Sequence, residues 1–407
     1  SEKKDEITWG FDNRIRWKAG DNFIDTNDAV DDSWGLARIR TRGWVGIPLS
    51  DTFKFNLRAT NEFRKYFHPE GEKYDFRINE LVFDNAYLEI TPRKDVSLKV
   101  GRQDMFIGEG LVMMDGSPLD GSRTYYFNAI RATWKSAKTT VDGFVISNTA
   151  KDRYLPVINR GTRPTTIQGI LERDEQGAGV YITRQLGKNL KGEFYDIFKR
   201  EEGFGTLPLS RLNTSGFRLT GLLKGGIQHA EEFAVQFGDY GPNSRRGYGG
   251  YVDLKKPLPS FPKLTLQFNY THLSGDDPNT ADCEGWNPIF SRWPKWSELY
   301  LYTVMQEGRG PGYWTNIGMI SPGLNYKFSD KANLDFNYRF MYAPQARLLS
   351  EQKLGNWRGN LMIAKFNYRV NKHFVGHLLA ETLDPGSFYL NGGSFAYFLR
   401  SEFMFVY

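Results

Sequence analysis

Short segments of alternating polar and apolar residues recur along the whole chain, and the connections between them alternate strictly between long and short. We predict eighteen β-strands from this alternation, most of them close to the ~9–11 residues that a tilted transmembrane strand needs. The predicted strands lie near 8–18, 34–47, 53–64, 81–90, 96–103, 128–135, 140–148, 177–187, 190–199, 215–224, 232–239, 248–256, 263–273, 316–328, 332–342, 357–370, 373–383 and 394–407.

The connections constrain the architecture more than the strands do. Short ones include "PLSDT" (48–52), "TPRKD" (91–95) and "NK" (371–372). An up-and-down antiparallel meander with short turns at one end and long loops at the other is typical of outer-membrane β-barrels. We therefore predict an all-β fold, one transmembrane barrel domain spanning 1–407 with short periplasmic turns and long extracellular loops. The longest loops are expected near 19–33, 65–80, 104–127, 149–176 and 274–315.

Composition excludes other membrane folds. Mean hydropathy is −0.53, and no apolar run approaches the ~18 residues that indicate a transmembrane helix. A strand barrel keeps mean hydropathy low because its two faces alternate. Cys283 is the single cysteine, so no intrachain disulfide is expected. The chain begins with Ser1, and we expect that an export signal has been removed from a protein of the bacterial outer membrane.

Two faces can be separated on many strands. Phe53, Phe55 and Leu57 alternate with Lys54 and Asn56, and the other strands repeat this pattern. An apolar face toward lipid and a polar face toward the lumen is the transmembrane-barrel arrangement. The C-terminal segment "FAYFLRSEFMFVY" fits a closing strand. Aromatic residues near strand ends are predicted to lie at the membrane interfaces: Trp9, Trp17, Trp44, Phe63, Tyr270, Tyr326 and Tyr338.

The segment "ARIRTRGW" (37–44) places an arginine at every second position. If its β-branched residues face lipid, its arginines line the lumen. The same face assignment gives seventeen inward cations, Arg14, Arg16, Lys18, Arg38, Arg40, Arg42, Lys54, Arg58, Arg64, Lys99, Arg218, Lys224, Lys327, Arg339, Lys365, Arg369 and Arg400. It gives seven inward carboxylates, Asp12, Glu62, Glu89, Asp142, Asp335, Glu381 and Glu402.

A net charge of only +6 over the chain does not indicate nucleic-acid binding, but the predicted lumen is strongly basic. Rings of Arg or Lys are a usual basis of anion selectivity in pores, and the planar guanidinium binds both oxygens of a carboxylate. The alternative interpretation is that these cations only neutralise carboxylates. The excess of seventeen inward cations over seven inward carboxylates favours a basic pore.

No constellation predicts an enzyme, a metal site or a cofactor. The five histidines (68, 229, 272, 373 and 377) lack metal-ligand spacing, and no nucleophile stands beside an oriented base. The loop segment 275–284 clusters four acidic residues, but its spacing matches no defined calcium loop, so a solvated loop is favoured over a calcium site.

Two stretches, "GRQDMFIGEGLVMMDGSPLDGSRTYYFNAIRATW" (101–134) and "GWNPIFSRWPKWSELYLY" (285–302), resemble signature regions of the alginate-export family of outer-membrane β-barrels. The resemblance implies an eighteen-stranded, monomeric barrel whose arginine-rich pore passes an acidic polysaccharide, with both stretches in or beside the pore mouth. The family's features map onto Arg102, Asp104, Asp115, Asp120 and Arg123 in the first stretch, and onto Arg292, Trp293, Trp296 and Glu298 in the second.

The leading hypothesis is a passive, anion-selective porin for alginate-like uronates, other acidic saccharides or small anions. The substrate-binding candidates are Arg14, Arg16, Arg38, Arg40, Arg42, Lys54, Arg58, Arg102, Asp104, Arg123, Arg339, Lys365, Arg369 and Arg400. The alternative is a barrel sheath whose basic lumen holds a segment of a partner protein. A membrane enzyme and a soluble carbohydrate-binding protein are weaker hypotheses.

Expected partners are membrane lipid, lipopolysaccharide and the anionic solute, with a periplasmic partner left open. The direction of transport, the pore radius, the oligomeric state and the question whether loop 104–127 or 274–315 plugs the lumen also stay open.

Overall fold

The chain forms one closed antiparallel β-barrel of eighteen strands in a computed structural model. The structure describes residues 6–22, 26–69, 81–114, 126–149, 157–158, 173–291, 295–305, 313–346, 348–349, 352–390 and 393–407. Every strand predicted from the alternation is present, most of them extended by a few residues, and the predicted fold class is confirmed. The strands are longer than predicted because the alternation of polar and apolar side chains continues beyond the segments in which it is clearest in the sequence.

The barrel strands, numbered in chain order, have the following bounds: β1 Thr8–Asp21, β2 Trp34–Pro48, β3 Phe53–His68, β4 Leu81–Arg93, β5 Val96–Gln103, β6 Phe127–Lys135, β7 Thr139–Asn148, β8 Glu175–Gly187, β9 Leu190–Glu201, β10 Ser210–Leu223, β11 Ile227–Tyr240, β12 Asn243–Leu258, β13 Phe261–Leu273, β14 Ile317–Ser329, β15 Ala332–Tyr342, β16 Trp357–Arg369, β17 Phe374–Pro385 and β18 Ala396–Val406. A helix, α1, spans Leu299–Met305 within the loop between β13 and β14.

Consecutive strands pair throughout, and pairing of β1 with β18 closes the barrel. In that seam Asp12 lies opposite Val406, and Asp21 lies opposite Tyr397. Closure satisfies the backbone groups that an open sheet edge would leave exposed. It also brings the basic residues of β1–β3 next to Arg400 of β18, as the sequence predicts for the first and last strands.

The outer face of the barrel is apolar. Trp17 of β1 is 50% exposed, and Phe233 of β11 and Phe268 of β13 are exposed in the same way. A soluble protein would bury such side chains, whereas a barrel in lipid presents them outward. Within the described residues, no helix has the length and apolar character needed to cross a membrane.

Trp44 is the exception among the predicted interface aromatics. It follows Arg42 by two residues on β2 and lies opposite Arg58 of β3, so it belongs to the lumen face. The prediction that Trp44 lies at the membrane interface was wrong, because its position near a strand end was given more weight than its alternation with the arginines.

The lumen contains a hydrophobic core at the end of the barrel that carries the long loops. Loop residues such as Met105, Val112, Trp286, Phe290 and Tyr300 are almost fully buried there. They pack against lumen-facing apolar residues of the strands, including Ile146, Ile197, Met319, Leu361 and Phe398. The described parts of loops 104–127 and 274–315 therefore fold inward and narrow the lumen. We call the segments 104–114, 286–291 and 295–301 the inner plug.

Candidate functional site

A cluster of basic residues covers the lumen face where the barrel closes. We call it the basic wall, formed by Arg14, Arg16 and Lys18 of β1, Arg38, Arg40 and Arg42 of β2, Arg64 of β3 and Arg400 of β18. Most of these side chains are largely withdrawn from solvent, and Arg16 and Arg40 are among the largest fully buried side chains. Alternation along each strand and pairing between strands place them together.

The register places like charges directly opposite each other. Arg14 faces Arg40, and Arg16 faces Arg38, across β1 and β2. Arg38 also faces Arg64 across β2 and β3, and Lys18 faces Arg400 at the closing seam. Directly opposed like charges destabilise a pair of strands. A sequence optimised for stability alone would avoid this arrangement.

Three carboxylates of the barrel wall partly neutralise this cluster. Asp12 accepts hydrogen bonds from Arg40 Nη2 at 3.0 Å and from Arg42 Nε at 2.8 Å. Glu62 pairs with Arg38, and Glu402 pairs with Arg16. Within the described residues, the strands thus supply eight cations and three carboxylates paired with them to this part of the lumen, an excess of positive charge.

The inner plug contributes one more carboxylate. Glu298 pairs with Arg400, and its other oxygen lies 3.7 Å from Lys18 Nζ. Beside it, Glu381 of β17 accepts hydrogen bonds from the Ser297 hydroxyl, from the amide of Glu298 at 3.0 Å and from the amide of Leu299 at 3.1 Å. These bonds fix the start of α1 to the barrel wall next to the basic wall.

Four other predicted cations lie on the lumen face without an ion pair in the described part of the chain: Lys54, Arg339, Lys365 and Arg369. Arg339 illustrates their environment. Its Nη1 approaches only the sulfur of Met319, at 3.8 Å, and its buried Nε has no hydrogen-bond partner. These side chains keep their positive charge available to the lumen.

Arg58 and Asp104 are both substrate-binding candidates and lie close together, but they form an ion pair with each other. All three nitrogens of the Arg58 guanidinium donate to Asp84 or Asp104, at 2.6–3.0 Å. One guanidinium between two carboxylates carries no spare positive charge. The prediction that Arg58 contributes positive potential to the pore is therefore corrected, because Asp84 at a β-bulge of β4 was not assigned to the lumen from sequence.

Arg102 does not face the lumen. It lies opposite Ala86 of β4 and Asn128 of β6, on the face that carries Val100 and Ile130. Its guanidinium donates to Asn128 Oδ1 at 3.2 Å and to the Phe83 carbonyl at 2.9 Å, and stacks 4.2 Å from the Tyr126 ring centroid. The register separates Arg102 from the lumen arginines, and a place for it beside the pore mouth stays a prediction. Asp115, Asp120, Arg123, Arg292 and Trp293 lie outside the described residues.

The opposite side of the lumen carries charges of which the sequence analysis assigned only Arg218 to the lumen. We call this side the ion-paired wall, formed by Glu175, Glu193, Lys199, Glu201, Arg218 and Glu232 on β8–β11. Lys199 Nζ lies 2.6 Å from Glu175 and 3.2 Å from Glu201. Arg218 pairs with Glu193, and Glu232 accepts hydrogen bonds from Tyr195 and Tyr251 at 3.0 Å.

The predicted excess of seventeen cations over seven carboxylates is therefore not a property of the whole lumen. Asp253, Glu193 and Glu232 lie on lumen-facing positions that alternation left unassigned, and Glu175 and Glu201 fall beyond the predicted strand ends. Lys224 is exposed in the turn after β10, and Lys327 near the end of β14 pairs with Asp330. Glycines such as Gly177 and Gly179 on β8 weaken the alternation and hide the face assignment.

The inner plug is also tied to the ion-paired wall. Arg218 Nη2 lies 2.8 Å from Glu109, and the Lys295 ammonium donates to the Glu109 carbonyl. Burial lowers the pKa of Lys295, an effect that the neighbouring carboxylates of Glu232 and Glu109 oppose. The plug thus bridges the lumen from one wall to the other.

The acidic loop segment 275–284 uses its carboxylates for its own turns. Asp276 accepts the amide of Glu284 at 2.7 Å, and Asp282 accepts the Ser244 hydroxyl at 3.0 Å. Across the described residues, no group of three or more His, Cys, Asp or Glu side chains is arranged to hold a metal ion.

The closed eighteen-strand barrel is similar in fold to several solved structures, one of them a porin. The structure resembles OccAB4 of Acinetobacter baumannii with a TM-score of 0.64 at 11% sequence identity, over 99% of this chain and 98% of that chain. It resembles a BenF-like porin of Pseudomonas fluorescens Pf-5 with a TM-score of 0.62 at 9% identity, over 99% of both chains.

A third similar structure is OccK11 (OpdR) of Pseudomonas aeruginosa, with a TM-score of 0.61 at 11% identity, over 98% of this chain and 95% of that chain. No family model matches this chain, and no curated protein matches it. At these identities the likeness concerns the fold, and the resemblance to the alginate-export family stays a prediction.

Proposed function

We propose that the protein is a porin of the bacterial outer membrane through which anionic solutes, including acidic saccharides, diffuse passively. The basic wall is the observation that carries this proposal. Among the described residues, the eight cations of the basic wall form ion pairs with three wall carboxylates and with Glu298 of the plug. A positive surface within low-dielectric walls concentrates anions and repels cations.

The outer surface and the loops support the same proposal. Exposed aromatic and aliphatic side chains surround the barrel, as lipid contact requires. Arg339 and Lys365, which form no ion pair with the described part of the chain, lie beyond the basic wall on the lumen face. A sheath for a partner protein fits less well, because the chain's own plug occupies the lumen where a partner segment would lie.

The test is a reversal potential in a planar bilayer under a KCl gradient, with the wild-type protein and the variant Arg38→Gln/Arg40→Gln/Arg42→Gln. The wild type is expected to prefer chloride, and oligomannuronate is expected to block the chloride current. The triple variant should shift the reversal potential toward cation preference, because Asp12 and Glu62 lose their partners.

A matched control removes the same charge from exposed lysines in or next to the short turns, in Lys224→Gln/Lys327→Gln/Lys331→Gln. This control should shift the reversal potential much less, since exposed charges are screened within about 10 Å at 0.1 M salt. A wild-type channel without chloride preference would refute the proposed function.

A further inference from the structure

A carboxylate lies on the outer face of the barrel, at Asp196 of β9. The neighbouring outward positions are aromatic, since Phe194 and Phe198 are both exposed. Tyr195 and Ile197, which alternate with them, are buried on the lumen side. Asp196 is itself exposed, so its side chain faces the lipid and not the pore.

Asp196 also lies midway along the lipid-facing part of its strand. Four residues nearer the long loops, Arg200 is the next charged position on this face. Four residues nearer the short turns, the outer face carries the charge of Arg184, which lies opposite Gly192. Charged side chains are tolerated near the membrane interfaces and are costly at mid-depth. A carboxylate between these two charged levels therefore faces hydrocarbon.

Two side chains of β10 satisfy this carboxylate in part. Asn213 Nδ2 donates to Asp196 Oδ2 at 2.9 Å, and the Ser215 hydroxyl donates to the same oxygen. Asp196 Oδ1 accepts no hydrogen bond from the described part of the chain. We call Asp196, Asn213 and Ser215 the acceptor patch. Lipid tails offer no hydrogen-bond donor, so the unused carboxylate oxygen favours a donor from another molecule.

A second polar group occupies the outer face of β1–β3. Asn13 lies opposite Thr41, which lies opposite Asn61, and we call these three residues the amide patch. Asn13 Nδ2 donates to Thr41 Oγ1 at 2.8 Å. An amide nitrogen carries two hydrogens, so the second N–H of Asn13 is left without a partner among the described residues.

The two patches lie at the same depth. Exposed Trp9 and Trp17 lie four residues to either side of Asn13 on the same face, and tryptophan is enriched at both membrane interfaces. Because all copies of the chain insert in one orientation, an acceptor patch and an amide patch of adjacent barrels meet without a vertical shift. The acceptor patch lacks a donor that the amide patch can supply, whereas two acceptor patches in contact would oppose two carboxylates.

We propose that copies of this chain associate side by side in the membrane, with the acceptor patch of one copy against the amide patch of the next. A hydrogen bond from Asn13 Nδ2 to Asp196 Oδ1 joins the two patches. Strands β4–β8 separate the patches on one side of the barrel, and β11–β18 separate them on the other. The contact is therefore head-to-tail, which extends into rows or large rings. The inference goes beyond the proposed function and does not depend on it, since both patches lie outside the lumen.

The experiment cross-links two populations of the protein in liposomes, both of which carry Cys283→Ser. One population carries Val180→Cys, at an exposed position beside Asp196, and the other carries Gly43→Cys, where a Cβ atom meets nothing within 4 Å. A short bismaleimide should link the mixed populations into dimers and leave each population alone monomeric. In a control mixture Leu266→Cys, on the outer face of β13, replaces Val180→Cys and should give no dimer.

Asp196→Leu tests the hydrogen bond, and its effect should depend on the copy that carries it. In the Val180→Cys population it should reduce the dimer yield roughly tenfold, as loss of a hydrogen bond to a charged group implies. In the Gly43→Cys population it should leave the yield unchanged, which also controls for folding of the variant. Asn13→Leu in the Gly43→Cys population should reproduce the loss from the other side of the contact.

Dimers within either population alone would overturn the inference, because they would indicate a two-fold contact. So would the absence of dimers from the mixture. A yield that does not fall when the Val180→Cys population carries Asp196→Leu would show that the acceptor patch takes no part in the contact. An equal loss from Asp196→Leu in either population, with no loss from Asn13→Leu, would also refute the pairing of the two patches.

Discussion

The basic wall and the ion-paired wall face the same lumen and are built from the same residue types, yet they use charge in opposite ways. In the ion-paired wall each buried cation touches carboxylates from neighbouring strands, as Lys199 does with Glu175 and Glu201. In the basic wall arginines face arginines, as Arg14 faces Arg40. The first arrangement holds the barrel and plug together, whereas the second maintains a positive potential at a cost in stability.

The largest effect is expected when a cation is removed from the ion-paired wall. Lys199→Met leaves Glu175 buried without its cation, so the free energy of unfolding should fall by about 3–5 kcal/mol. Urea unfolding of the reconstituted barrel measures this loss. The matched double variant Lys199→Met/Glu175→Gln should recover much of it. Equal stability of the wild type and Lys199→Met would show that the pairing does not stabilise the barrel.

Removal of one cation from the basic wall should have a different outcome. Arg14→Gln relieves the directly opposed Arg14–Arg40 pair, so the free energy of unfolding should change by less than about 1 kcal/mol. Chloride preference in the bilayer should nevertheless decrease. Lys255→Gln removes the same charge from the lumen face of β12 and serves as the control, with a smaller decrease expected. A larger decrease in chloride preference for Lys255→Gln than for Arg14→Gln would contradict the assignment of the basic wall.

The inner plug contacts both walls. Its carboxylate Glu298 pairs with the basic wall, so a substitution there tests how the plug affects that wall. Glu298→Gln frees Arg400 and Lys18 from their shared partner, so chloride preference should rise modestly. Current noise should also increase, because the start of α1 loses one of its attachments. Glu89→Gln removes a lumen carboxylate that has no ion pair in the described residues. It should raise chloride preference without added noise, and similar noise in both variants would contradict a structural role of Glu298.

The sequence was sufficient for the barrel and for the basic wall, because both follow from alternation with a period of two. Apart from Arg218, the residues of the ion-paired wall were missed where that signal fails. Gly177 and Gly179 have no side chain to mark a face, and Glu201 lies at a strand end that alternation did not reach. The partnership of Arg58 with Asp84 depends on a β-bulge, which moves a side chain between faces without a clear sequence signal.

Arg102 and Trp44 show the complementary limits of reasoning from motifs and from position. A family resemblance placed Arg102 at the pore, but the pairing of its strand places it beside Val100 on the outer face. Position near a strand end placed Trp44 at the membrane interface, but alternation with Arg42 places it in the lumen. Register is the physical property that decides both cases, since a shift by one residue exchanges the faces.

The smallest expected effect follows from that register. Arg102→Gln should leave chloride preference as in wild type, because its guanidinium already bonds to Asn128 and to the Phe83 carbonyl outside the lumen. The comparison is with Arg14→Gln, measured as a reversal potential in the same KCl gradient. Both substitutions remove one formal charge from the chain, so only placement distinguishes them. Equal shifts in the two variants would mean that net charge, and not the basic wall, sets the selectivity of the pore.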